Sequence, residues 1–435
     1  MTGNAAGEGA GAPARGGLWK ALGPGLLFAG AAIGVSHLVQ STRAGADYGL
    51  ALIVFILIAN IAKYPAFRIG NQYAPATGEN LLVAYRRQGH GALWLFVAAT
   101  LLTMFAACAA ISITTAALAK AVFGLPQSPL QITLGVWALI AVILFFGQYR
   151  ALDYLVKGLL AFLTVSTLIA TALILPRVSF SGLGDFWPQS FDRTTVLFIA
   201  ALVGWMPAPL DTAVWQSLWS QAKARASRHM PTMREARIDF DIGFIGTTFL
   251  AICFVLMGAG VMHGSGLTFE SSAAGFAQQI IGLYETTLGP GAARLVGFSA
   301  FAVIFSTTLT AIDAWPRTLA GVGLIVLGRD EAEQNEKIAR AARHPYYWLS
   351  TAVLLAGAWV ILGFMMNSFQ TLIDIATTVS FFTAPVFAFL NHRAMFGDHV
   401  PAANRPGAGL MIWSAAGVAV LTAFALFYLW IRFIV

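Results

Sequence analysis

Runs of about 20 mostly apolar residues repeat along this chain, and a run of that length is what an α-helix needs to cross a bilayer. They fall at 19–40, 47–70, 92–123, 129–148, 152–176, 194–220, 240–262, 290–316, 346–366, 368–390 and 408–433, eleven in all. Only 10% of the 435 residues are charged and 58% are hydrophobic, against roughly 25% charged in a soluble domain. An all-α polytopic membrane protein is therefore expected. No short basic segment with a cleavage box precedes a soluble domain, so the apolar runs read as spans and not as a signal peptide. Residues 1–17 are rich in Gly and Ala and read as a disordered leader.

The net charge of +7 belongs to membrane orientation and not to nucleic acid, because the basic residues lie between spans without interleaved aromatics. With the N-terminus inside, 20 of the 26 Lys and Arg fall in inside segments, Lys63 among them; Arg43, Lys120, Arg177, Arg193, Arg294 and Arg432 remain outside. This places the N-terminus in the cytoplasm and the C-terminus outside, in a cell (inner or plasma) membrane. Cys108 and Cys253 lie in apolar runs without CxxC or Cys/His spacing and read as small hydrophobes. The connectors leave no room for a soluble catalytic domain. The charged stretch 328–344 reads as a solvated cytoplasmic face, and 267–288 as an amphipathic external helix. The Phe and Trp content reads as lipid-facing and interfacial material.

Two spans are interrupted. "AAIGVSHLVQS" (31–41) breaks an apolar run with glycine, hydroxyls and a histidine, and "GWMPAPLDTAVWQS" (204–217) does so with Pro207, Pro209 and Asp211. Proline removes a backbone donor and clashes with the preceding turn. In lipid, unwound backbone survives only where it lines a cavity or is buried in protein. Paired broken helices in corresponding halves mark a transporter's substrate site. The breaks lie about 172 residues apart, each opening a run of five spans. The expected organisation is a first repeat over 18–176, a connector over 177–192, a second repeat over 193–390, and a connector with helix 11 over 391–435. Five spans per unit would invert the second repeat relative to the first.

These residues resemble a family. "GPGLLFAGAAIGVSHLVQSTRAGADYGL" (23–50) is similar to the first span of the Nramp metal-ion transporters, with its GPG start, broken helix and AGADYG tail. "TGENL" (77–81), "QSLWSQ" (216–221) and "STTLT" (306–310) resemble the family's stretches after span two, at the close of span six and in span eight. The resemblance implies the LeuT-type inverted 5+5 fold with one extra helix, discontinuous helices 1 and 6, and proton-linked uptake of manganese or iron. It implies no cofactor.

The resemblance fails at the chemistry. The family's Asp-Pro-Gly-Asn of span one stands here as Gly34, Val35, Ser36 and His37, so the coordinating carboxylate is gone. The family's Ala-x-x-Met-Pro-His of span six aligns with Met206 at the Ala, Pro209 at the Met and Asp211 at the His; a gapped alignment matches Met206-Pro207 to Met-Pro instead. Span three carries no Asp or Glu, and its acidic positions are Cys108 and Ile111. The expected substrate residues are Gly34, Val35, Ser36, His37, Met206, Pro209 and Asp211, with His37, Asp211 and Ser36 as metal ligands. His37 reads either as ligand or gate, or as a hydrogen-bonded structural histidine. An intramembrane carboxylate such as Asp211 is costly without a partner. Asp313 is placed to pair with Arg317 at i,i+4, and Asp374 has no cation near in sequence; both are candidates for coupling or gating. Thr377, Thr378, Ser380 and Thr383 either line a polar path or bond to their own helix.

The cargo readings are a divalent metal of manganese or iron type, with weak or absent proton coupling, or a non-canonical one: magnesium, another cation, or a small anionic or zwitterionic solute. No HExxH or nucleophile–base set occurs, so an enzyme is not expected. Beyond cargo and lipid bilayer, no partner is implied, and a monomer is the favoured form.

Overall fold

In the computed structural model, the described residues are 23–433 apart from 267–269, 271, 329–337, 339–343 and 366–367. The leader 1–17 and most of the 328–344 connector lie outside them. The helices are α1 Pro24–Ala32, α2 Thr42–Tyr48, α3 Ile53–Thr77, α4 Leu81–Arg87, α5 His90–Phe123, α6 Pro129–Ile174 and α7 Arg193–Trp205. They continue as α8 Thr212–Ser227, α9 Met233–Met262, α10 Ala273–Leu288, α11 Pro290–Leu327, α12 Pro345–Met365, α13 Phe369–Met395 and α14 Ala408–Phe433. Among the described residues nine helices are long and apolar enough to cross a membrane, and the bent pair formed by α1 with the segment Ser36–Tyr48 makes ten. The 13-residue α7 is apolar but too short to cross alone. Helix α6 holds two spans, Pro129–Gly147 and Ala151–Arg177. A Cβ on Gly147 would lie 2.1 Å from that of Ala151, inside the one continuous helix that holds both spans.

Large apolar side chains on the outer helices face outward, such as Phe146 at 79% and Phe364 at 87% exposure. An exposed apolar surface of this kind suits lipid and not water. The chain is a multi-pass membrane protein. The polar residues turn inward: Ser36, His37, Gln40, Asp211 and Asp313 are all buried.

Helix α9 cradles both halves of the first interrupted span. Asp239 accepts from the Gly23 and Gly25 amides at 3.0 and 2.6 Å, satisfying amide donors that an α-helix leaves open at its start. Farther along, Gly45 and Gly258 let the backbones of α2 and α9 meet. A Cβ on either would lie 2.0–2.1 Å from the carbonyl oxygen of Val255 or Thr42. Small residues at such crossings are how membrane helices gain close packing without a hydrophobic drive.

Candidate substrate site

The two breaks face one another. Helix α1 stops at Ala32, and the chain resumes as a π-helical turn, Ser36–Ser41, that runs into α2 with an overall bend of 49°. The carbonyls freed at the end of α1 are taken up by α11: Thr307 Oγ1 donates toward Gly30 and Ile33 at 3.0 and 3.1 Å, and Ser306 Oγ lies 3.3 Å from Gly30 O. A Cβ at Gly34 would lie 2.6 Å from Thr307 Oγ1, so only glycine lets α11 approach this closely.

In the second break, residues 206–211 leave the helix between α7 and α8, and the Met206–Pro207 peptide is cis. Pro207 has no N–H, so the Val203 carbonyl loses its normal donor four residues on and keeps only a longer bond from Met206 N at 3.3 Å. Lys63, from the middle of α3, supplies a closer one. Its Nζ donates to Val203 O at 2.7 Å, Gly204 O at 2.9 Å and Ala208 O at 3.5 Å. Lys63 is fully buried. Counted from the sequence as an inside topology charge, it instead belongs to the interior, because three converging carbonyls solvate it better than apolar surroundings would.

Between the breaks lies a small cavity of about 30 Å³, large enough for an ion or a water or two. Gly34, Val35 and Ser36 line it from one break and Pro209 and Thr212 from the other. Helix α5 adds Ala107 and Ile111, α11 adds Thr307, and three tryptophans, Trp205, Trp215 and Trp315, close the remaining wall. These tryptophans are buried at 4% exposure or less, so they are cavity walls and not the interfacial material expected from composition.

His37 does not line the cavity. Its Nε2 donates to Thr247 O at 3.0 Å, and its Nδ1 pairs with Ser36 Oγ at 2.8 Å, so both ring nitrogens are occupied. Asp211 sits one residue from lining Thr212. Its Oδ2 accepts from Trp315 Nε1 at 3.0 Å, while the buried Oδ1 has no partner. On the same helical segment Trp215 Nε1 and both ends of the Gln216 amide are likewise buried without partners. Met206 packs in a separate apolar cluster with Leu202 and Phe381. Among the described residues no group of three His, Cys, Asp or Glu could hold a metal ion.

Asp313 pairs with Arg317 at 2.6 Å, as its spacing implied, and also accepts from Trp219 Nε1 and Tyr347 Oη at 3.0 and 3.1 Å. Asp374 finds its cation across the bundle: Arg43 Nη1 lies 3.0 Å away, with Gln40 Nε2 at 3.4 Å. The Arg43 guanidinium also stands 5.0 Å from the centre of the Phe198 ring. Asp374, Arg43 and Thr378 border a larger cavity of about 550 Å³, whereas Thr377, Ser380 and Thr383 bond to carbonyls of their own helix. Sequence reading passed over Lys63, Thr307 and the three tryptophans. Of these only Lys63 carried a local signal, a lysine in an apolar run with no acid beside it.

The family model described as natural resistance-associated macrophage protein-like matches residues 25–430. The chain belongs to the Nramp family. An uncharacterized protein of Pasteurella multocida is 34% identical over 94% of this chain and 92% of its own. A divalent metal cation transporter, MntH, of Yersinia enterocolitica is 22% identical over 87% and 88%. Among solved structures, a mutant of the Eremococcus coleocola manganese transporter superposes with TM-score 0.67 at 14% identity, covering 96% of this chain and 88% of that one. MhsT in complex with L-phenylalanine superposes with TM-score 0.63 at 13% identity, over 97% and 99%. These structural likenesses establish the fold, a LeuT-type helical bundle. As a member of a transporter family, the chain is placed among carriers and not enzymes. Of the substrate residues expected from the first break, this Nramp member sets Gly34, Val35 and Ser36 on the cavity wall and turns His37 away to α9. Of the span-three positions, Ile111 lines the cavity and Cys108 does not.

Proposed function

We propose that this chain is a secondary transporter of the Nramp type that moves a divalent metal ion by alternating access through the cavity between its two helix breaks. The observation that carries this reading is the meeting of both interruptions at one cavity in the bundle interior. The same reading carries eleven spans, an inverted pair of repeats over 18–176 and 193–390, a cytoplasmic N-terminus and an outside C-terminus. Asp211 supplies the free carboxylate oxygen nearest the cavity, and Ser36 Oγ and break carbonyls supply further oxygens suited to a manganese-like ion. His37 joins such a site only by giving up its bond to Ser36 or Thr247. The Arg43–Asp374 pair closes the outer approach and the Asp313–Arg317 cluster the inner one. With Cys108 and Ile111 in place of span-three acids, proton coupling is weak or absent.

Calorimetry with manganese on the purified protein tests the metal reading: binding heat is expected for wild type and a loss of at least tenfold in affinity for Asp211→Asn. If no divalent ion gives heat and the variant matches wild type, the metal reading falls. Liposomes holding a pH dye test coupling, with little acidification expected during metal uptake.

A second reading, the same carrier with a non-canonical cargo, is favoured by the cavity wall itself. No carboxylate, imidazole or thioether lines it, and three indoles do. Magnesium, another cation, or a small anionic or zwitterionic solute is the cargo of that reading.

A further inference from the structure

We propose that the carbonyls of Val203, Gly204 and Ala208 form a monovalent-cation site at the break between α7 and α8, and that the Lys63 ammonium is its resident, tethered cation. Three main-chain oxygens converge on one nitrogen at 2.7, 2.9 and 3.5 Å. Two of them come from the last turn of α7, where the aligned peptide dipoles leave partial negative charge. The third comes from the unwound segment. Among the described residues no carboxylate pairs with Lys63, so the oxygens of the peptide backbone are what solvate its charge. A cation without a counter-ion persists in an interior only where such dipoles replace water.

The position gives the site its purpose. Lys63 ties the end of α7 to Ala208, between the two prolines, and the adjoining Trp205 and Pro209 both line the central cavity. It is a positioning residue: it sets the wall against which any cargo rests without touching the cargo. A neutral donor could satisfy one carbonyl. An ammonium has three N–H donors and a charge, and so can hold all three at once. The inference does not depend on which cargo the carrier moves.

The test reads the site directly and needs no transport assay. Lys63→Ala removes the ammonium and leaves room for a small cation, whereas Lys63→Met removes the charge and keeps the volume. Melting midpoints of the detergent-purified full chain would be compared in choline, sodium, potassium and methylammonium chlorides at one ionic strength. We expect wild type to be indifferent to the salt, and Lys63→Ala to melt about 5 °C lower in choline and to recover at least half of that loss in methylammonium. Lys63→Met should be similarly lowered and not recover. If Lys63→Ala gains no more from methylammonium, sodium or potassium than from choline, the site is refuted, and so it is if Lys63→Met melts with wild type. Should Lys63→Ala be too unstable to isolate in choline, its recovery as a monodisperse peak only with methylammonium present supports the site. Failure in every salt overturns it.

Discussion

The two helix breaks solve one problem in different ways. Each ends an apolar helix inside the bundle and frees carbonyls that lipid cannot satisfy. In the first, the neutral hydroxyls of Ser306 and Thr307 reach across from α11, and Gly34 makes room for Thr307. In the second, two prolines strip donors from the backbone and the amino group of Lys63 is brought in from α3. A helix end finished by hydroxyls can exchange partners at little cost, because water or cargo offers the same hydrogen bonds. One finished by a buried ammonium cannot, since releasing it strands a charge. The first break is thus built to rearrange, and the second to stay put.

Substitutions can break or sharpen this contrast, and their expected effects fall in a definite order. Lys63→Met should cost the most stability, about 3 kcal/mol, by orphaning several buried carbonyls at once; chemical or thermal melting in detergent measures it. Gly34→Ala follows at about 2 kcal/mol from overpacking against Thr307. It should also abolish uptake, because Gly34 and the Thr307 it would press on both line the central cavity. Adding Thr307→Ala to Gly34→Ala should relieve much of the stability loss, and a double variant no better than the single would show that the clash lies elsewhere. Thr307→Val alone is expected to cost about 1 kcal/mol, the ordinary worth of a neutral hydrogen bond. If it costs as much as Lys63→Met, the contrast between the breaks fails. Smallest is Arg43→Gln, at about 0.5 kcal/mol or less, because its partner Asp374 is 43% exposed and the pair is screened. Its readout is functional: a thiol reagent should reach a cysteine placed at Ala201, on the wall of the larger cavity, faster in the variant than in wild type.

Much of the site was legible before any fold was known, for local reasons. Gly34 amid hydroxyls, and Pro207 and Pro209 ahead of Asp211, disrupt helical bonding whatever surrounds them. Asp313 and Arg317 lie one turn apart and must meet on any regular helix. Asp374 was illegible because its cation, Arg43, is 331 positions away in the chain. His37 was ambiguous for a related reason. An imidazole's role depends on what stands opposite each ring nitrogen, and Thr247 and Ser36 both claim one. The tryptophans misled because composition favours the bilayer interface for indole, whereas Trp315 and Trp219 here donate to the buried Asp211 and Asp313.

The sequence by itself determined that this chain crosses a membrane many times, which spans break, and that the first break holds no carboxylate. Those are properties of hydropathy, missing backbone donors and residue identity, all carried within a few turns of chain. Only the tertiary structure decided what completes each break: hydroxyls from α11 at one and the ammonium of Lys63 at the other. It also decided that His37 faces Thr247 and not the cavity. The reason is that an orphaned carbonyl in an apolar medium must be met by some donor, but nothing local specifies which distant helix will bring it.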